Sequence, residues 1–205
     1  EAAPGGSCRR ADLHVHLNGA VPVSTLREIL YDEATALPEG FSIDRDLARR
    51  TPSPSLSVYL EPWRVLRLLP RKRKNLDRLT LATFASFANN AVRVVELRSS
   101  VLYLAGLQDC STAEALTALI ESTQIAAAKH AVRRGLILTV TRGDRAAADL
   151  ALLLQAYRDL GEPEDVVGID LAGDEEIGYP PELPALFRQA KERYGLGVTI
   201  HAGET

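Results

Sequence analysis

The sequence predicts an α/β fold, because five short runs rich in Val, Ile, Leu and Thr alternate with helical patterns along its 205 residues. Alternation of this kind makes the strands parallel and packs each connecting helix against the sheet. The last three predicted strands follow one another at intervals of about 30 residues, the size of one βα unit. We interpret the chain as a TIM-type (β/α)8 barrel that is truncated after about five βα units, since a complete barrel typically needs about 250 residues.

Each predicted strand is a β-rich run bounded by glycine or polar residues. In chain order the strands cover residues 11–17, 91–98, 135–141, 165–171 and 195–201. The helices are predicted from apolar residues at helical spacing and from polar residues that can cap a first turn. They cover residues 25–36, 76–90, 112–134, 145–160 and 181–194, with Ser24, Asn75 and either Ser111 or Thr112 as caps of the first three.

The segment at about 37–75 interrupts the alternation with several prolines and the single tryptophan, Trp63. We interpret it as an inserted helical loop at the C-terminal face of the barrel, where ligands bind. Trp63 and Leu60 are expected to line the pocket. The basic run Arg71–Lys74 is expected to be a solvated loop, because no aromatic or glycine pattern accompanies it.

Composition excludes several classes of protein. With 24 Lys+Arg and 27 Asp+Glu the net charge is -3, so a strongly basic nucleic-acid binder is excluded. No apolar run approaches the roughly 20 residues that span a membrane. Residues 1–10 are expected to form a flexible tail, which leaves 11–205 as one incomplete barrel domain. The two cysteines, Cys8 and Cys110, are too few for a disulfide scaffold, so we expect a cytoplasmic protein. The oligomeric state is not predicted.

The chain has four histidines, and three of them occupy strand positions that predict a metal site. His14 and His16 lie two apart on the first strand, so both imidazoles point to one face and form half of a zinc site. The alternative is two ordinary histidines on a half-buried strand. His201 ends the fifth strand, and in a parallel barrel all strands end on one face. We therefore expect His14, His16 and His201 to converge, with Glu204 close enough for proton transfer.

Counting ligands separates this site from related metal centres. Trinuclear phosphoesterases with a similar first strand need more histidines than remain here, and dinuclear amidohydrolases need a lysine at the end of strand four. A single-metal site fits better. Asp170 and Asp174 flank Gly173 at the end of that strand, where turn chemistry is an alternative explanation for Asp and Gly.

Four ordered segments then resemble the adenosine deaminase family: residues 12–20, 95–98, 168–175 and 201–204. The resemblance implies one Zn²⁺ per chain, held by His14, His16 and His201. It implies that Glu204 is the catalytic acid that protonates purine N1 while water attacks C6. It also implies that His16, Asn18 and Gly173 bind the substrate, Gly173 through its backbone N–H to the purine. Asn18 departs from the aspartate that commonly contacts the sugar in this family.

The resemblance implies zinc-dependent hydrolysis of adenosine, or a related adenine nucleoside, to inosine and ammonia. In the family a catalytic histidine and a pair of aspartates come from later strands than those present here. We therefore expect little or no turnover from the 205 residues alone. The alternative is a non-catalytic relative that binds metal or nucleoside. Another amidohydrolase reaction, such as ring opening, is less well supported, because the Gly173 region and the spacing from His201 to Glu204 suit a purine.

Overall fold

A computed structural model describes residues 10–47 and 52–203 and confirms the barrel-type α/β architecture. Its five strands are all parallel and are ordered β1-β2-β3-β4-β5 across one sheet. They are β1 (Arg10–His16), β2 (Val92–Ser99), β3 (Arg133–Thr141), β4 (Val166–Ala172) and β5 (Gly197–Ile200). Strands adjacent in sequence are therefore also adjacent in the sheet, as successive right-handed βα units require.

The sheet is curled into a half-barrel. In a flat sheet, β1 and β5 would lie about 19 Å apart, four spacings of about 4.8 Å. Instead, the ring of His14 on β1 and the ring of His201 just after β5 have centroids 4.6 Å apart. The concave side therefore brings together the C-terminal ends of the first and last strands that the structure describes.

Side chains alternate between the two sides of the sheet, with apolar residues facing the helices and polar residues facing the concavity. On β3, Leu138 and Val140 are buried in the core between sheet and helices, whereas Thr139 points the other way. On β4, Ile169 is buried in the same core and Asp170 pairs in register with Thr139. The concave surface is consequently polar enough to hold a ligand.

Eight α-helices connect the strands within the described ranges. They are α1 (Val23–Asp32), α2 (Leu56–Leu60), α3 (Trp63–Leu66), α4 (Arg73–Asn89), α5 (Val101–Gln108), α6 (Thr112–His130), α7 (Ala146–Asp159) and α8 (Leu183–Tyr194). A 3-10 turn, Leu17–Gly19, follows β1, and a π turn covers Ile43–Leu47. No helix in the described ranges is long and apolar enough to cross a membrane.

Four expectations about helices differ from the structure. Ser24 does not cap α1, because that helix begins at Val23 with Pro22 as its N-cap, and it ends at Asp32 rather than at residue 36. Helix α4 begins at Arg73, and Asn75 does not cap it but is buried, where it donates hydrogen bonds to Asp32 and Glu33. Helix α6 ends at His130 because Ala131 adopts a left-handed conformation with φ 53°. Helix α5 was not predicted, because its eight residues are apolar on every side and show no helical periodicity.

The inserted segment is helical, as predicted, and contains the π turn, α2 and α3; residues 48–51 lie outside the described residues. Its basic run is exposed but begins α4 rather than forming a loop. Lys72 and Lys74 both pair with Asp32 of α1, and Arg73 pairs with Asp77. These charges therefore fasten α4 to α1. The predicted N-terminal tail also lies outside the described residues, except for Arg10, which begins β1.

Candidate metal centre

Three histidine side chains meet on the concave face at the C-terminal ends of β1 and β5. The Nε2 atom of His201 lies 2.9 Å from Nε2 of His14 and 3.0 Å from Nε2 of His16. All three ligand atoms fall within 4.8 Å of one another, which places them around a common point. His14 is exposed, His16 is half-buried and His201 is buried. The structure thus brings together the three residues that the sequence predicts as metal ligands.

A buried carboxylate orients the His201 ring through Nδ1, the ring nitrogen that is not part of the histidine cluster. Its Nδ1 lies 3.2 Å from Oδ1 and 3.0 Å from Oδ2 of Asp170, and Thr199 donates a 2.7 Å hydrogen bond to Oδ1. The carboxylate selects the tautomer with the proton on Nδ1, which leaves the Nε2 lone pair facing the other two histidines. Arg142 fixes the backbone of the same residue by donating to the His201 carbonyl at 2.8 Å.

The electrostatics of the site favour a neutral His16 ring and an ionised Asp170 carboxylate. Burial, together with the neighbouring His201, lowers the pKa of His16 to about 4, although Asp170 acts in the opposite direction. Burial raises the pKa of Asp170, but hydrogen bonds from His201 and Thr199 outweigh it, so that this pKa lies below its ordinary value. At neutral pH the His16 ring is therefore a lone-pair donor, as metal coordination requires.

Arg98 connects the two strands that carry the histidines, and sequence reasoning did not single it out. It is 3% exposed, donates a 2.7 Å hydrogen bond to the carbonyl of Leu13 on β1, and lies 3.4 Å from the Thr199 hydroxyl on β5. Its Nε is 3.6 Å from Oδ2 of Asp170, which is 0% exposed. The signal was that Arg98 alternates with the apolar residues Val95 and Leu97 on β2, on the side of the sheet where a buried guanidinium needs a charge partner.

The donor set fits a divalent transition-metal ion. Three convergent imidazole nitrogens are ligands that zinc accepts, and a carboxylate behind one of them is the common supporting arrangement. The ligands come from two strands that Arg98 and Asp170 hold in place. His14, His16 and His201 are therefore the residues that would hold the ion.

A cavity of about 630 Å³ surrounds the histidines and is within the size range of ligand-binding clefts. One end is lined by the ends of β3 and β4, including Thr141, Ala172 and Gly173. The other end is lined by α2, α3 and the start of α5. Trp63 and Leu60 both line it, as the sequence suggested. Arg142, next to Thr141, contacts His201, and Trp63 of α3 contacts His16, so the histidines adjoin both groups of lining residues.

Gly173 supplies a backbone conformation that other residues rarely adopt. Its φ is +104°, and a Cβ at this position would lie 3.2 Å from Cγ2 of Thr141 and 3.5 Å from the backbone nitrogen of Arg142. The glycine therefore allows the chain to turn sharply at the cavity wall, with its backbone open toward the ligand.

We expect Gly173→Ala to destabilise the protein by about 1–3 kcal/mol, because alanine at this φ is strained and its methyl group crowds Thr141. Urea denaturation measures the loss. The matched control is Gly178→Ala, since Gly178 is exposed and has open space around it. Equal stability of the two variants would show that the Gly173 conformation is not required.

Asn18 holds the inserted segment against the turn after β1. Its Nδ2 donates hydrogen bonds of 2.8 Å to the Leu66 carbonyl and 3.1 Å to the Leu69 carbonyl. Both amide protons are therefore used on the backbone, and Oδ1 is the side-chain atom left to face a ligand. An aspartate here would place negative oxygens against two carbonyls, so the neutral amide suits this position.

The same contact positions Trp63 as a cover for the metal centre. The indole packs edge-on against the His16 ring, with centroids 5.6 Å apart and an interplanar angle of 76°. A Cβ on Gly19 would lie 3.7 Å from Cζ2 of Trp63, so the indole rests over the turn as well. Asn18 and Trp63 together fix α3 beside the histidines.

We expect Asn18→Asp to lower the free energy of unfolding by about 1–3 kcal/mol, because two buried carbonyls lose their donors. Urea denaturation of the two proteins measures the difference. Asn90→Asp is the control, since Asn90 makes a comparable 2.9 Å bond to the Ser86 carbonyl at an exposed site. A larger loss in the control would contradict the anchoring role of Asn18.

Two predicted site residues have different outcomes in the structure. Gly173 lines the same cavity as the histidines. Glu204, the predicted catalytic acid, lies outside the described residues, and its role stays a prediction. His201, three residues before Glu204, is within the described residues. The backbone N–H of Gly203 donates a 2.8 Å hydrogen bond to the Glu175 carboxylate.

The chain matches the family model described as adenosine deaminase over residues 9–205. A curated adenosine deaminase from Clostridium acetobutylicum is 27% identical over 202 residues, which cover 96% of this chain and 58% of the relative. The chain therefore spans somewhat more than half the length of the curated relatives it matches.

Solved structures show the same fold. An amidohydrolase from Burkholderia ambifaria, described with bound Zn, has a TM-score of 0.78 at 22% identity. The match covers 95% of this chain and 52% of the amidohydrolase chain. The N6-methyl-AMP deaminase of Arabidopsis thaliana has a TM-score of 0.71 at 24% identity, covering 97% of this chain and 59% of its own. At these identities the comparison establishes shared architecture.

Proposed function

This chain belongs to the adenosine deaminase family, and from that premise we propose that it contributes to a site that hydrolytically removes the 6-amino group of adenosine or a related adenine nucleoside. The observation that carries the proposal is the convergence of the Nε2 atoms of His14, His16 and His201 in the wall of a cavity of about 630 Å³. We propose one zinc ion per chain at this point. A zinc ion there would act as a Lewis acid that makes water a better nucleophile at neutral pH.

The residues of the chain have separate roles in this proposal. Asp170 favours the tautomer of His201 with its proton on Nδ1, so that Nε2 would be available to hold the ion together with His14 and His16. Gly173 offers its backbone N–H to the purine at the far end of the cavity, and Glu204 donates a proton to N1 as water adds to C6. The proton that the water releases restores Glu204, the proton of the new C6 hydroxyl passes to the amino group, and this group leaves as ammonia to give the 6-oxo purine. The proposal thus places acid and nucleophile on one C=N bond.

Two further substrate contacts are proposed beside the metal. His16 forms part of the wall that the substrate meets, because its ring lies between the ion site and Trp63. Asn18 accepts a hydrogen bond from a sugar hydroxyl through Oδ1, since its Nδ2 is already bound to Leu66 and Leu69. The sugar therefore extends toward α3, away from Gly173.

A direct assay separates deamination from simple binding. The zinc-loaded protein is incubated with adenosine, and the ultraviolet shift to inosine is followed, while calorimetry measures zinc and inosine binding. Deamination that Glu204→Gln abolishes without loss of zinc supports the proposal; Glu192→Gln, an exposed glutamate on α8, is the matched control. Zinc and nucleoside binding with no product at high protein concentration favours a binding role instead. Loss of zinc in Glu204→Gln would make Glu204 a ligand.

A further inference from the structure

The part of the cavity that is lined by α2, α3 and the start of α5 is rich in hydrogen-bond donors. Tyr59, Arg64 and Arg67 line it from the inserted segment, and Ser100 and Tyr103 line it from the start of α5. Arg64 and Arg67 lie three residues apart on α3 and its C-cap, so their side chains share one face. The two tyrosines are 55% and 47% exposed, so both are accessible to a ligand that enters the cavity.

The positive charge at this end is only partly paired within the described residues. Arg67 has no carboxylate within 4.0 Å in the described part of the chain, and Arg64 pairs with Glu61 at 3.1 Å on the surface, where such pairs are weak. Arg98 also lines the cavity but is occupied by Asp170. A ligand that reaches α3 therefore meets guanidinium and hydroxyl donors.

Other cations of the inserted segment are used differently. Lys72 and Lys74 are paired with Asp32, and Arg73 with Asp77 and Glu121, all outside the cavity lining. These pairs stabilise the contact of α4 with its neighbours. Among the described residues, Arg67 makes no such pair, and Arg64 makes only the surface pair with Glu61.

The position of α3 relative to the histidines determines which part of a ligand it meets. Trp63 begins α3 and contacts the His16 ring, and Arg67 follows one turn later as the C-cap of the same helix, so Arg67 lines the cavity from the side where α3 meets His16. If the purine lies at Gly173 and its reacting carbon at the histidines, the sugar and anything attached to it point toward Arg67.

We propose that this end of the cavity binds a phosphate group, so that the substrate is a purine nucleoside 5′-monophosphate in preference to a neutral nucleoside. The inference rests on the proposed function, because it uses the placement of the purine over the histidines. A planar guanidinium binds two phosphate oxygens at once, and tyrosine and serine hydroxyls supply further donors. The substrate charge then compensates Arg67, which has no carboxylate partner among the described residues.

Calorimetry with the two reaction products tests the proposal without turnover. Inosine 5′-monophosphate is expected to bind the zinc-loaded protein about tenfold more tightly than inosine, the effect of one charge-assisted hydrogen bond. Arg67→Ala should remove most of this preference and leave inosine binding unchanged, and Arg67→Lys should retain part of it. The control Arg78→Ala removes an equal charge from an exposed position on α4 outside the cavity and should retain the full preference.

The outcomes separate this inference from the proposed function. Equal affinity for the nucleotide and the nucleoside, or an unchanged preference in Arg67→Ala, overturns the phosphate site while inosine binding still supports the purine site. Binding of neither purine overturns both. A further arm uses inorganic phosphate: if it binds as tightly as the nucleotide, the arginines form a general anion site and the proposed substrate class is wrong.

Discussion

The His14→Ala variant is expected to lose tight zinc binding while it keeps its fold. His14 is exposed and contributes no core packing, but its Nε2 is one of three nitrogens around a common point. Loss of a direct ligand should weaken zinc by more than the roughly 10–100-fold that follows loss of a supporting partner. Metal content after dialysis and competition with a chelator measure the change. Circular dichroism confirms that the variant is folded.

Thermal unfolding provides an independent measurement of the same site. Zinc at 100 times its Kd stabilises a binding protein by about 2.7 kcal/mol, so the wild type should melt at a higher temperature with zinc than without it. His14→Ala should lose this increase. His130→Ala is the control, because the fourth histidine ends α6 and does not belong to the cluster. Stoichiometric zinc in His14→Ala, or loss of zinc in His130→Ala, would refute the metal centre.

The Asp170→Asn variant is expected to be strongly destabilised, by about 3–5 kcal/mol. Asparagine fits the space but removes the charge that faces the buried guanidinium of Arg98 at 3.6 Å. It also weakens the support of His201, since the tautomer of that imidazole is no longer selected by a carboxylate. Urea denaturation measures the stability, and chelator competition measures the accompanying loss of zinc affinity.

Two comparisons identify the cause of that loss. Asp77→Asn removes the partner of Arg73 in a pair that is 41% and 42% exposed, and should cost only about 0.5 kcal/mol. The double variant Arg98→Met with Asp170→Leu removes both buried charges and should be more stable than Asp170→Asn alone. A double variant that is less stable than Asp170→Asn would show that hydrogen bonding, rather than the unpaired charge, dominates at this position.

The sequence predicted the strand order and the histidine cluster for one reason. Parallel βα units put every strand end on the same face, so two histidines on the first strand and one after the fifth had to share that face. The curl of the sheet then brought them into contact. Helix α5 was missed, because apolar residues on all its sides give no periodic signal, and Asn75 was assigned to a cap although two acidic side chains hold it in the interior.

The supporting residues could not be read from local patterns. Arg98 contacts Leu13, 85 residues away, and Thr199, 101 residues away, and only the folded barrel shows that all three lie on one concave surface. Asn18 was predicted as a substrate contact from a family resemblance. Its two backbone partners lie 48 and 51 residues later, in an inserted segment whose path the sequence does not specify.

The distance along the chain between the clustered imidazoles has a consequence for folding kinetics. His14 and His201 are 187 residues apart, and their contact closes a loop that contains every intervening βα unit. The chain loses the conformational entropy of closing this loop before the three histidines come together, so a cation cannot nucleate folding here. It can only slow unfolding, because it bridges β1 and the end of β5 in the assembled sheet. Added zinc should therefore lengthen the unfolding time and leave the refolding rate nearly unchanged.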